Sequence, residues 1–324
     1  MILGRNFTNT FIFDKLTAPE QEKILNGILD LFSMNAIGLV KFKEDISNQI
    51  KIAKRLGLDH IELDCDVPNP YADLDDVQCR DIKSHFEENK ISSSVHLSYS
   101  NAGSSVASLQ ELDRTAAVSI QKRYIDFAEK IGSKYAILHP GTAPFYMVSP
   151  LYVQKFKAQI VKSISEIAEY AASKNVKLHV ENNTAFDGLF VEPQDCIEII
   201  RASREKSKTE IYFNFDIGHW FTRADKGSPL PEYPVDVMKN IPKDLVCEMH
   251  LNDYIPGKII FHPPLTMTEG PLKGDGLKRY AEHLMKLEPE LLLLETAFKT
   301  VEQVKNRREI IEQETHYVKE IFGI

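Results

Sequence analysis

The sequence predicts an α/β chain whose strands run parallel and close into a (β/α)8 barrel, and three observations carry that prediction. Short apolar or β-branched runs alternate eight times with amphipathic helical stretches, most units roughly 30 to 45 residues apart. No glycine-rich phosphate-binding fingerprint follows an early run, which disfavours an open dinucleotide-binding sheet. Six successive runs end in His, Glu or Asp, at the strand ends where a barrel gathers its reactive side chains.

The expected strands are residues 36–40, 60–63, 93–96, 135–139, 177–181, 211–216, 245–250 and 291–295. Helical patterns follow at 45–56, 77–89, 107–131, 153–173, 193–203, 235–240, 276–286 and 301–321. Leu112, Ala116, Ile120, Tyr124 and Phe127 recur at helical spacing, as do Ile160, Ile164, Ile167 and Tyr170. Strand, helix, strand in one sheet implies right-handed crossovers. Residues 1–34, with a helical stretch at 19–32, precede the first expected strand and read as an N-terminal helical extension packed on a barrel of residues 35–324. No Pro/Ser/Gly-rich linker divides the chain, so one domain is expected.

Bulk properties agree. A chain of 324 residues is ordinary for a barrel with extra segments, and 43% hydrophobic with 27% charged residues is globular composition. No apolar run reaches bilayer length, and the run at 291–294 stops at Glu295, as a buried strand would. The start of the sequence lacks a basic segment followed by an apolar one, so a cytoplasmic protein is expected. Cys65, Cys79, Cys196 and Cys247 form no CxxC pair and read as free thiols in a reducing compartment. A net charge of −8 disfavours broad nucleic-acid binding and still permits a local basic groove.

The strand ends carry the chemistry. The third to eighth strands end at His96, His139, Glu181, Asp216, His250 and Glu295; His219 follows Asp216 by three residues, and His262 lies in the loop after the seventh strand. Any one of these fits a solvated or hydrogen-bonded residue. Together, however, Glu181, Asp216 and Glu295 would repel and lose hydration at one end of the barrel, and need a cation. His250 adds a nitrogen ligand suited to manganese, zinc, iron or cobalt. By contrast His85, His283 and His316 fall in helical patterns, His60 opens a strand at the barrel bottom, and His179 reads as a core histidine one layer below Glu181. Trp220 and Phe221 are expected to wall the pocket or to pack on a neighbouring loop. The long, glycine-containing loop at 256–276 is expected to act as a lid.

The motifs HLSYSN (96–101), LHPG (138–141), VENN (180–183), FDIGH (215–219), MHLND (249–253), HPPL (262–265) and LLETA (293–297), in this order and placement, resemble the xylose-isomerase-like TIM-barrel superfamily. That superfamily holds sugar isomerases and epimerases, related dehydratases and the endonuclease IV type of abasic-site nuclease. The resemblance to its ketose epimerases implies one divalent metal, manganese, zinc or cobalt, on Glu181, Asp216, His250 and Glu295, with no organic cofactor. It implies that Glu181 and Glu295 exchange a proton as base and acid on an open-chain sugar, sugar phosphate or polyol, through an enediolate. It places His219 on a substrate oxygen and His96 and His139 in the sugar pocket. Those epimerases often carry an arginine after the seventh-strand histidine; here Lys258 or Asn252 would substitute, with Asp187 as a further hydroxyl contact.

The nuclease branch would use His96, His139, His219 and His262 as additional ligands. Its third metal needs an acid two residues before the last histidine, where this chain has Ile260. The segment DCDVPNPYADLDD after the second strand is acidic and would repel a nucleic-acid backbone. The loops therefore favour a small carbohydrate substrate, with the nuclease as the alternative and a dehydratase of a sugar acid as the second. No membrane partner is expected, and a homo-oligomer is compatible with the type.

Overall fold

The computed structural model describes residues 1–142, 149–231 and 235–324. Eight parallel strands form a closed barrel: β1 (Ile2–Asn6), β2 (His60–Asp64), β3 (Ser92–His96), β4 (Tyr135–Leu138), β5 (Lys177–Glu181), β6 (Ile211–Asp216), β7 (Val246–Leu251) and β10 (Leu291–Glu295). A small antiparallel hairpin, β8 (Tyr254–Ile255) and β9 (Ile260–Phe261), rises from the end of β7. No helix among the described residues is long and apolar enough to cross a membrane.

The crossover helices form where the sequence supplies caps and an apolar stripe. Helix Ile46–Leu56 starts on Asp45, whose carboxylate accepts Asn48 N, and stops at Gly57, which has a φ of 64°. Its Ile46, Ile50, Ala53 and Leu56 bury one face. Helices Asp76–Asn89, Glu111–Ile131, Pro150–Ser173, Pro193–Ser207 and Arg307–Phe322 continue the outer ring. The 235–240 pattern appears as a short helix, Val235–Met238.

One expectation is corrected. Residues 36–40 are not a strand: they lie in helix Leu31–Glu44, capped by Asp30 at Ser33 N, with Met34, Gly38 and Phe42 on the buried side. Gly38 permits this packing, because a Cβ there would meet Ile12 Cγ2 at 2.7 Å. The first strand is instead Ile2–Asn6, paired with β10 from Ile2↔Leu291 to Asn6↔Glu295 and with β2 from Gly4↔His60 to Asn6↔Glu62. The N-terminal residues therefore close the barrel rather than extend it, and helix Ala18–Leu25 belongs to the crossover toward β2. A glycine and an arginine hid this strand. Gly4 is small because a Cβ would lie 2.9 Å from His60 Cδ2, and Arg5 faces the outer layer, where it meets Glu314.

The space between strands and helices is apolar, filled by Leu3, Ile61, Leu63, Leu178, Val180, Phe213, Leu292 and Leu294. The barrel axis is more polar than the aliphatic filling usual for this architecture. His60, Glu62, Ser94, His179, Asn214, Glu248 and His250 are all buried there. His179 is the core histidine expected, 3.4 Å from Glu248 and flanked by the rings of Tyr135 and Tyr212.

Candidate metal centre at the barrel mouth

The β-strand period of two turns Glu181, Asp216, His250 and Glu295 toward the axis at the C-terminal rim. His250 Nδ1 lies 3.3 Å from Glu181 Oε2, 3.6 Å from Glu295 Oε1 and 3.9 Å from Asp216 Oδ2. Glu181 is the hub, with His96 Nε2 at 3.3 Å, His139 Nε2 at 3.8 Å and His219 Nδ1 at 3.2 Å. His262 Nδ1 reaches Glu295 Oε2 at 3.4 Å. All eight strand-end and loop residues singled out in the sequence thus meet at one place.

Neighbours fix the carboxylates. Asp216 Oδ1 accepts His219 N at 2.6 Å, capping the short helix Ile217–Phe221, and Asn252 donates to its Oδ2 at 2.6 Å. Gly218 allows that approach: a Cβ there would lie 1.6 Å from Asn252 Oδ1. Asn182 clamps the strand end, donating to Asp216 O and accepting from Asp216 N.

The electrostatics are lopsided. Burial pushes the Glu181 carboxyl up, but His250 and His139 outweigh it and hold Glu181 well below the usual range. Burial, opposed by His250 and helped by the charges of Glu181 and Asp216, lifts Glu295 to about 8. Against burial, Glu181 and Glu62 raise His96 to about 10, and Asp216 with Glu181 raises His219 to about 10. Burial lowers His139 to about 4, and burial with the positive neighbours His219 and Lys299 takes His262 well below its ordinary value. Carboxylates that raise His96 and His219 this far against burial are carboxylates short of positive charge.

The donors fit a divalent ion. Glu181 Oε1 and both nitrogens of His250 are buried without an aligned hydrogen bond, and such atoms are costly unless something binds them. Three carboxylates and one imidazole suit manganese, zinc or cobalt. A second group, His96, His139 and Glu181, also offers atoms within 4.8 Å of one another.

Above the donors lies a cavity of 310 Å³ lined by His96, His139, His219, His262, Glu295 and Asp187. Asp187 also accepts from Thr184 N and Oγ1, which holds its loop. Three expected substrate contacts stand elsewhere. Trp220 is fully buried, donates from Nε1 to Glu192 and lies under the Arg223 guanidinium. One residue of helical rotation separates it from His219, so it faces the outer layer. Lys258 is an exposed partner of Glu269 near the hairpin tip, outside the cavity. Asn252 is buried behind Asp216 and acts on that carboxylate.

Other residues of the cavity escaped the sequence reading: Asn6, Asn9, Asp64, Tyr99 and Lys299. Asn6 and Asn9 follow from the misplaced first strand. Lys299, its pKa lowered by burial, lies four residues after Glu295; that proximity was the available signal. The 256–276 loop, expected to act as a lid, is tied to its surroundings by hydrogen bonds. Asp253 accepts from Tyr254 N, Thr268 Oγ1 and Leu272 N, His262 O accepts from Ala297 N, and Glu314 accepts from Leu265 N.

Comparison with known proteins agrees with this architecture. No curated protein matches the chain. Among solved structures, a D-tagatose 3-epimerase-like protein superposes with a TM-score of 0.64 at 20% identity, covering 99% of both chains. D-Psicose 3-epimerase from Clostridium cellulolyticum H10 gives 0.69 at 12% identity, also covering 99% of both. A 3-keto-D-glucoside 4-epimerase from E. coli gives 0.60 at 14%, covering 84% of this chain and 95% of its own. At such identities the likeness is one of fold. The family model described as a xylose isomerase-like TIM barrel matches residues 50–321, so the chain belongs to that family.

Proposed function

We propose that the protein is a divalent-metal-dependent isomerase or epimerase of a small sugar, sugar phosphate or related polyol. The observation that carries this reading is the convergence of Glu181, Asp216, His250 and Glu295, short of positive charge, beneath a cavity of 310 Å³. That volume suits a small ligand rather than a polymer. The structural neighbours are named as sugar epimerases, which supports the same substrate class.

An ion on the four donors would act as a Lewis acid toward a carbonyl and stabilise the charge of an enediolate. The protein's own work is proton transfer. Glu181, held ionised by the imidazoles around it, takes a proton from the carbon beside the carbonyl. Glu295, at the end of strand β10, returns one. Two carboxyls at one site can divide the roles of base and acid. His219 and Asp187 orient hydroxyls, and the asparagines at 182 and 252 keep Asp216 in place.

The test is solvent-deuterium exchange, followed by NMR, into a panel of ketoses with added manganese or cobalt. Exchange at a carbon next to the carbonyl, abolished in Glu181→Gln and in Glu295→Gln, is expected. Near-normal turnover in both variants would sink the acid–base assignment. The trio of His96, His139 and Glu181 favours a second reading, a multi-zinc abasic-site nuclease. Cleavage of abasic DNA by the zinc-loaded protein, lost in His262→Ala, would replace the first.

A further inference from the structure

Beneath the metal donors lies a second layer of charge that catalysis does not call for. Glu62 on β2 and Glu248 on β7 are both fully buried on the barrel axis. Glu62 Oε2 lies 3.4 Å and Glu248 Oε1 3.7 Å from the same atom, His250 Nε2. The other ring nitrogen, Nδ1, is the one that faces Glu181, Asp216 and Glu295. His250 therefore bridges two layers, with one nitrogen in each.

From this geometry we infer that Glu62 and Glu248 are positioning residues that hold the Nε2–H of His250, fixing the tautomer in which Nδ1 offers its lone pair to a metal. The inference rests on the metal-binding reading of the four donors above. An imidazole binds a metal through one nitrogen only when the other carries the proton, and that proton needs an acceptor. Here both groups are buried, and Nε2 and Glu62 Oε2 both lack an aligned partner, a matched donor and acceptor. Asn6 Nδ2 donates to Glu62 Oε1 at 3.2 Å, leaving Oε2 for His250, and Ser94 Oγ donates at 3.4 Å to Glu248 Oε1, the same oxygen that faces His250 Nε2. His179 stands 3.4 Å from Glu248 Oε2. Glu62 is thus held by its far oxygen with the near one left for His250, and Glu248 is held by Ser94 on the oxygen nearest the ring. A purely structural axis would have no use for two buried carboxylates around one ring, since aliphatic filling such as Leu291 and Leu293 costs nothing in desolvation.

The experiment is titration of metal-free protein with manganese and with cobalt, in the wild type and in Glu62→Gln, Glu62→Asp and Glu248→Gln, alongside thermal melting of each metal-free protein. Loss of an outer partner of a metal-bound histidine typically weakens metal affinity about 10–100-fold. We expect a loss of that order in Glu62→Gln, a smaller one in Glu248→Gln, and partial rescue in Glu62→Asp. The visible spectrum of bound cobalt should shift in the variants. Metal-free melting temperatures should hold or rise, because a buried charge has been removed. Affinities within twofold of the wild type would overturn the inference, as would a melting temperature that falls along with affinity, the mark of a merely structural role. A wild-type protein that binds neither metal would overturn the metal-binding reading itself, and this inference with it.

Discussion

Two buried ionic clusters flank the last barrel strand, and they are built on opposite principles. On the outer side, Arg5 NH1 meets Glu314 Oε2 at 2.8 Å, and Arg5 also donates to Thr296 and Thr315. Glu314 accepts from Leu265 N and Thr296 Oγ1 as well, so one cation faces one anion, with Arg5 Nε left without a partner. On the inner side, three carboxylates share the mouth with histidines and leave buried atoms unpaired. Both clusters cost desolvation. The balanced one holds β1, the 256–276 loop and the last helix together; the unbalanced one is, on the function proposed above, arranged for a metal ion.

The sharpest way to break this comparison is at the inner hub. Glu181→Gln should lower turnover by about 10²–10⁴-fold, the usual worth of a proton-transferring group, without lowering the melting temperature of the metal-free protein. A large loss of stability would mean that the inner cluster is structural too. Next comes the outer cluster. Glu314→Ala strands the Arg5 guanidinium and should cost about 3–5 kcal/mol in urea unfolding. A loss below 1 kcal/mol would show that the pair is not the fastener described.

Metal binding should sharpen the contrast in the other direction. At a free metal concentration 100-fold above Kd, the wild type should gain about 2.7 kcal/mol, seen as a raised melting temperature. Glu181→Gln should gain much less at the same concentration, and Glu314→Gln should still respond. The smallest effect concerns Asp253, whose carboxyl burial lifts to about 6. An acid with its pKa raised by folding binds more protons when folded, so stability should fall as pH rises from about 4 to about 6 and level off above that. In Asp253→Asn that slope should shrink; an unchanged slope would assign it to other groups.

How much of this was legible in the chain depended on what a residue had to contrast with. Glu181, Asp216, His250 and Glu295 stood out because each ends an apolar run. Glu62 and Glu248 sit two residues inside theirs; the period of two that places His179 below Glu181 places Glu248 below His250 in the same way, a signal the strand-end pattern overshadowed. β1 was missed because Gly4 and Arg5 interrupt its apolar pattern, while residues 36–40 imitate a strand that tertiary packing and the Asp30 cap make helical. Lys258 was nearer in sequence to the seventh-strand histidine, yet the hairpin carries it away and leaves Lys299 as the lysine at the cavity. Local sequence distance is a poor guide across loops that fold back on themselves.

The pairing of β1 with β10 also orders events in time. Residues 2–6 are made long before 291–295, so on the ribosome the earlier strand waits with one edge unpaired until β10 has emerged. The partner of Arg5, Glu314, arrives later still. Because Glu295 ends the strand that closes the ring, the fourth of the proposed metal donors is delivered by the same step that seals the barrel. A nascent chain released early would lack both the seal and the fourth donor, and metal affinity would report on completion of the fold.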